Sequence, residues 1–257
     1  MPRGDLSIKV GGKHAVASES HMTLGQHLEQ IRWCLIKSAG AVLLVFAVSY
    51  FFADHLFNFM VAPLKGILQP GQSVIGTGVP EAFIVEIKVA LVTGVFLASP
   101  IIFYQIWRFL APLLRAVEKR LVIPFVTATT VFFVGGGYFC YRVVLPLAFL
   151  YFIGQYQSME VSPEIRIGEY FTFFFRLILA FGVTFELPVF TFFLVRLGAW
   201  DYRFLWRQFR YAILTIFILA AVLTPGPDVI SQILLAGPLT LLYVLSIGVA
   251  YVFRKKA

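Results

Sequence analysis

Cut at its charges, the sequence leaves six runs of little or no charge, at residues 38–53, 89–107, 121–141, 177–195, 211–227 and 229–253. Each approaches the about 20 residues that a helix rising about 1.5 Å per residue needs to cross a hydrocarbon core about 30 Å thick. No other feature limits the fold so tightly. In lipid every backbone N–H and C=O must find its partner inside the protein, and runs of this length meet that demand as helices. Composition agrees, with 60% hydrophobic residues, 28 Phe and only 13% charged residues, and a mean hydropathy of +0.86. The pattern predicts an all-α integral membrane protein with six transmembrane helices. The first run is on the short side, and the fifth and sixth spans are read as a short pair joined by the Pro- and Gly-rich turn TPGPDV at 224–229.

The net charge of +8 would suit nucleic acid, but its distribution points to a bilayer instead. With the spans taken in order from a cytoplasmic N-terminus, Lys65, Lys88, Arg142, Arg166 and Arg176 fall on one face and every other Lys and Arg on the opposite one. This bias places both termini in the cytoplasm, with anionic lipid headgroups as a secondary use of the basic face. Residues 1–23 lack the apolar core of a signal peptide and read as a flexible cytoplasmic tail. Residues 24–257 form a single six-helix membrane domain, with no internal repeat of the kind that builds inverted-repeat transporters. Cys34 and Cys140 lie near opposite ends of their spans, so no disulfide is expected between them.

In the first outer connection, Leu56, Phe57, Met60, Val61, Leu64 and Leu68 recur at helical spacing, which predicts an amphipathic helix along the outer interface. Gly135, Gly136 and Gly137 inside the third span suit close helix packing. Catalytic signals are missing. His14, His21, His27 and His55 all lie outside the spans, and no metalloprotease, nucleophile-elbow or phosphate-loop motif is present. Neither enzyme activity, a cofactor nor a metal is expected.

What stands out is carboxylates in unexpected company. Glu29, in HLEQIR, and Glu118, before Lys119 and Arg120, sit on the basic face. Such groups are commonly solvated charge pairs contributing about 0–1 kcal/mol. A sharper reading makes them a docking point for a cationic ligand, because a carboxylate takes a guanidinium bidentately and so distinguishes it from an ammonium. Glu186 is stranger, being the one charge between Arg176 and Arg196. An ionised carboxylate near mid-bilayer costs a few kcal/mol or more, so it should be protonated, paired or turned to a watered groove. Pro188 removes the hydrogen bond to the carbonyl of Thr184 and should bend the span there. Two readings follow: a buried acid that joins helices, or a polar spot in a concave groove that contacts a partner helix.

Six motifs in order give the chain a resemblance to the TatC family, the multispanning core of the twin-arginine protein translocase. They are HLEQIR, the APL at 62–64, YQIWRFLAPLL with the later EKR, PLAF, FGVTFELP and TPGPDVISQ. The resemblance implies a receptor in a bacterial-type inner membrane. Such a receptor binds twin-arginine signal peptides at the cytoplasmic face and exports folded proteins on the proton motive force. It further implies assembly with TatA- and TatB-type single-span subunits, and self-association. Glu118 matches the acid that helps hold the arginine pair, and Phe109, Pro112 and Arg115 belong to the same loop. In the first-span motif Arg32 matches, but Gln30 stands where the family has Glu and Glu29 lies one place earlier, about 100° around a helix. Glu186 with Pro188 matches the family's intramembrane glutamate. Pro63, Thr224, Asp228 and Gln232 are carried over to partner docking, although Asp228 is equally suited to cap the sixth helix. The alternative function is a proton-coupled secondary transporter relaying through Glu186.

Overall fold

The computed structural model of the chain describes residues 24–68, 73–110, 122–161, 163–226 and 228–253. Helix α1 spans Leu24–Tyr50, α3 Glu81–Leu110 and α10 Val229–Val252. Helix α4, Val122–Phe139, runs through a five-residue π-helical turn at Cys140–Val144 into α5, Leu145–Ser158. The π turn has a local cause: Pro146 has no N–H to offer the Arg142 carbonyl, and the Leu145 N–H reaches back to Cys140 instead. Helix α6, Ile167–Thr184, and α7, Leu187–Leu197, make one span broken at Phe185 and Glu186. After the short α8, Tyr202–Arg207, comes α9, Phe209–Leu223. Five stretches are long and apolar enough to cross a membrane, and α9 is a shorter apolar helix.

With α9, six helices match the six expected spans. The short-pair expectation holds for α9, whose 15 residues rise about 22 Å. It fails for α10, which runs 24 residues despite Pro238 in its interior. The first span is also longer than its uncharged run, because the helix takes in Glu29, Arg32 and Lys37, whose long or polar side chains extend to solvent at its end.

The core is aromatic. Phe171, Phe174 and Phe181 of α6 are fully buried, and they pack with α2, α3, the π turn and α10 in one continuous cluster. Close approach needs glycine at two of the three positions that suggested it. A Cβ on Gly136 would lie 2.7 Å from the Phe181 carbonyl of α6, and one on Gly137 2.5 Å from the Phe96 ring of α3, whereas Gly135 faces open space. Helix α1 lies at the edge, packed on α3, with Leu28, Leu35, Leu43 and Leu44 facing outward.

At the end opposite the α1 N-terminus the connections fold into a cap. Its α2, Ala53–Lys65, is the expected amphipathic helix, but Met60, Val61 and Leu64 are buried in the protein core and not turned to lipid. The hydroxyls of Tyr141 and Tyr170 donate to the carbonyls of Phe59 and Met60 at 2.7 and 2.6 Å, fastening α2 down. A short parallel bridge pairs β1, Val74–Ile75, with β2, Ile165–Arg166. Glu81, the first residue of α3, joins the two cap loops. Its Oε2 accepts from the Thr77 and Gly78 amides and the Thr77 hydroxyl, and its Oε1 accepts from the Gly168 amide at 2.8 Å. Both cysteines are free.

Candidate functional site

Three places carry the polar residues singled out in the sequence. The first is a cleft of about 280 Å³ where α1 begins and α3 ends. On α1, Glu29, Trp33 and Lys37 follow one another at four-residue intervals, which stacks them on one helix face. That stripe, with Gln30 and Cys34, lines the cleft from one side, and Gln105, Arg108 and Phe109 of α3 line it from the other. The Trp33 indole N–H donates to Glu29 Oε1 at 3.2 Å. Among the described residues Glu29 makes no ion pair, so its carboxylate is oriented by an aromatic neighbour and not neutralised by a cation. Glu29 and Gln30 therefore both reach the cleft despite their angular separation. Arg32 is exposed on α1 and is not part of this lining. Pro112, Arg115 and Glu118 lie outside the described residues, whose α3 ends at Leu110.

Glu186 occupies the second place. Phe185 closes α6 by donating to the Phe181 carbonyl, the Glu186 amide turns back to Val183, and α7 restarts when the Phe190 amide donates to the Glu186 carbonyl at 2.8 Å. Pro188 sits at the start of α7, where its missing N–H leaves no gap. The anticipated bend is thus a full helix break, with the acid as the junction residue. Its half-buried side chain lies against the Phe133 backbone of α4, and its Oε1 is buried with no hydrogen-bond partner. The position differs from the sequence expectation of mid-span. Because α6 starts at Ile167, ahead of the charge at Arg176, Glu186 lies about 28 Å from the start of the span and about 16 Å from its end. Beyond it opens an apolar groove of about 380 Å³ between α4, α7 and α10, lined by Phe125, Phe132, Pro188, Val189 and Phe192, with Arg196 at its rim.

The third place is the α9–α10 turn. Asp228 caps α10, accepting from the Ser231 amide at 2.7 Å and from the Tyr151 hydroxyl of α5 at 3.0 Å. The Ser231 hydroxyl and amide hold the Asp228 carboxyl below the usual carboxylate range. Gln232 Nε2 donates to the Phe217 carbonyl at 2.8 Å, pinning α10 to α9, and Thr224 is buried with its hydroxyl donating to the Ala221 carbonyl. These contacts support the capping role for Asp228. Pro63 is half-buried within α2 in the cap. The residues carried over to partner docking thus do not converge: Glu186 stands at the helix break, Pro63 in the cap and the other three in the turn.

Sequence reasoning missed Trp33, Lys37, Gln105 and Arg108. The four-residue spacing from Glu29 could have found the first two, but nothing in the sequence sets α1 against the end of α3. Glu81 was missed as well, because its partners come from two distant loops.

Long apolar helices, a helix break with a buried carboxylate oxygen and a polar cleft where α1 begins define a multi-pass membrane protein. The family described as Sec-independent protein translocase protein (TatC) matches residues 26–238. TatC of Desulforapulum autotrophicum is 42% identical over 90% of this chain and 85% of its own length, and TatC of Koribacter versatilis is 37% identical over the whole chain and 95% of its own. A crystal structure of the twin-arginine translocase receptor TatC superposes with a TM-score of 0.80 at 33% identity, covering 88% of this chain and 99% of that one. The chain belongs to the TatC family. It is a non-enzymatic, multi-pass component of a protein translocase that acts with other Tat subunits, and the secondary-transporter alternative falls with that assignment.

Proposed function

We propose that this chain is the receptor subunit of its translocase. It binds twin-arginine signal peptides at a cytoplasmic face formed by the ends of α1 and α3, and it assembles with single-span subunits in a bacterial-type inner membrane to export folded cargo on the proton motive force. The observation that carries this reading is the cleft in which Glu29, with no cationic partner among the described residues, stands beside Gln30, Phe109 and Arg108. A carboxylate held by one indole N–H keeps lone pairs free for a guanidinium. Gln30 adds an uncharged acceptor, and Glu118 belongs to the chain that follows α3. One carboxylate can serve each arginine of the pair, with Glu118 taking one and Glu29 or Gln30 the other.

The test is a pull-down from membranes with an immobilised twin-arginine signal peptide and its twin-lysine form. Retention of the protein by the first and not the second is expected, because an ammonium cannot fork onto a carboxylate. Glu118→Ala should reduce retention on the order of tenfold or more, the effect of losing one charge-assisted hydrogen bond. Unchanged crosslinking of the peptide to Glu118→Ala would remove Glu118 from the site.

A further inference from the structure

The cap end holds a groove that neither peptide binding nor the Glu186 junction uses. It has a volume of about 420 Å³ and lies between the first turns of α6 and the end of α9, with Glu81, Arg166, Glu169, Arg176 and Pro225 in its lining. A second hollow of about 520 Å³ shares Arg166, Glu169, Phe173 and Pro225 with it and continues over Phe149 and Phe152. One opening therefore joins a charged rim to an aromatic floor.

The four charges of the rim are not equivalent. Glu81 is saturated by three amides and a hydroxyl. Arg166 and Glu169 meet at 3.5 Å with side chains 57% and 74% exposed, a contact that leaves both open to other partners. Arg176 is exposed and makes no ion pair or hydrogen bond with any described residue. Yet it lies inside a membrane-crossing helix, about 13 Å from the start of α6. An unpaired guanidinium at that depth requires a counter-charge.

Two further facts say what supplies it. Glu169 and Arg176 are seven residues apart on α6, so they share one face about 10 Å apart along the axis, a separation that a long Arg176 side chain leaning toward the helix N-terminus shortens. Beside them α9 is only 15 residues long, and its last residue, Leu223, lines the same groove. A span that short draws the bilayer surface inward, which brings the headgroup layer down to the level of Arg176.

We propose that this groove binds the headgroup of a zwitterionic phospholipid with a primary amine, of the phosphatidylethanolamine class. The phosphate sits on Arg176 and the ammonium on Glu169, with the acyl chains running from Arg176 away from the cap toward the bilayer centre. The guanidinium donates two N–H bonds from its fork to two phosphate oxygens. A primary ammonium donates hydrogen bonds to Glu169, whereas a trimethylated choline has no N–H to donate and a phosphatidylglycerol headgroup brings no cation at all. Two guanidinium groups and two carboxylates line this groove, and Glu164 adds a third carboxylate in the second hollow, so the opening carries no positive excess that would favour an anionic lipid.

Native mass spectrometry of the full-length protein, offered equal amounts of phosphatidylethanolamine, phosphatidylcholine and phosphatidylglycerol, tests the assignment. Wild type should retain phosphatidylethanolamine over phosphatidylcholine on the order of tenfold, the worth of one charge-assisted hydrogen bond. Arg176→Gln should lose the bound phospholipid of every class. Glu169→Gln should keep phospholipid but lose the preference for the primary amine. Arg176→Lys, which preserves the charge and not the fork, should bind more weakly than wild type, and it decides the matter should the Gln variant not fold. A phosphatidylethanolamine with a photoreactive group near the glycerol end of an acyl chain should label the peptides of α6 and α9 that carry Arg176 and Leu223. Equal retention of ethanolamine and choline lipids, preference for phosphatidylglycerol, wild-type retention by both Arg176 variants, or labelling confined to other helices would each overturn the proposal.

Discussion

Glu186 shows how one residue can set the character of a span. A carboxyl with a buried, unpartnered oxygen is a cost the monomer carries unless something outside it offers a donor. Replacing it should therefore act on assembly more than on peptide capture. Glu186→Ala is expected to weaken co-purification of single-span subunits several-fold while leaving retention on a twin-arginine peptide within about twofold, and equal recovery of those subunits would end its docking role. Asp228 makes the opposite case, since every contact it shows is internal. Its folded pKa is depressed, so its stabilisation is complete above the unfolded value near 3.9 and is lost as pH falls through the lower folded value. Thermal unfolding of wild type should shift downward as pH is lowered from about 5 to about 3, and Asp228→Asn should flatten that dependence because Asn caps without ionising. Asp228→Ala should cost about 0.5–2 kcal/mol at neutral pH.

At the scale of elements, the structure separates residues that look alike in the sequence. Gly135 and Gly136 are neighbours in a run of three, yet only Gly136 and Gly137 touch another helix. Gly136→Ala should destabilise by about 1–3 kcal/mol, because backbone of α6 blocks the new Cβ. Gly135→Ala should be neutral or stabilising by about 0.5–1 kcal/mol, the ordinary gain of Ala over Gly within a helix. A comparison of thermal midpoints in one detergent decides it, and similar losses for both would mean that α4 and α6 are not packed as described. The cap gives a parallel case in Glu81, whose two carboxylate oxygens hold loops from either side of the central spans. Charge-based cutting of the sequence placed it in a connection, since the interaction that defines it spans 87 positions.

For the whole molecule, the distribution of Lys and Arg orients the bundle and the helix lengths shape it. A positive-inside orientation makes a direct prediction in a background lacking Cys34 and Cys140. Glu160→Cys, at the cap end, should react with an impermeant maleimide in intact cells, and Arg207→Cys, in α8, only after permeabilisation. Labelling of both before permeabilisation would reverse or dissolve the topology. The unequal spans matter as much, for the break at Glu186 and the short α9 set different depths along one bundle.

The class of fold, the six spans, the amphipathic character of α2 and the candidate acids are legible in the residues alone. Each of those follows from local chemistry: lipid permits only internally bonded backbone, helical spacing places side chains on faces, and a carboxylate among apolar residues is costly wherever it stands. Tertiary structure alone decided what those elements meet. It turned the apolar face of α2 into the core, extended α10 past the expected length and set Trp33 and Lys37 opposite Arg108. It also separated the residues assigned to docking into three places, bound the cap through Glu81 and left Arg176 without a protein partner among the described residues. The physical reason is range: the rules that make a helix act within four residues, whereas a cleft, a clamp or an unmet charge depends on side chains brought together from far along the chain.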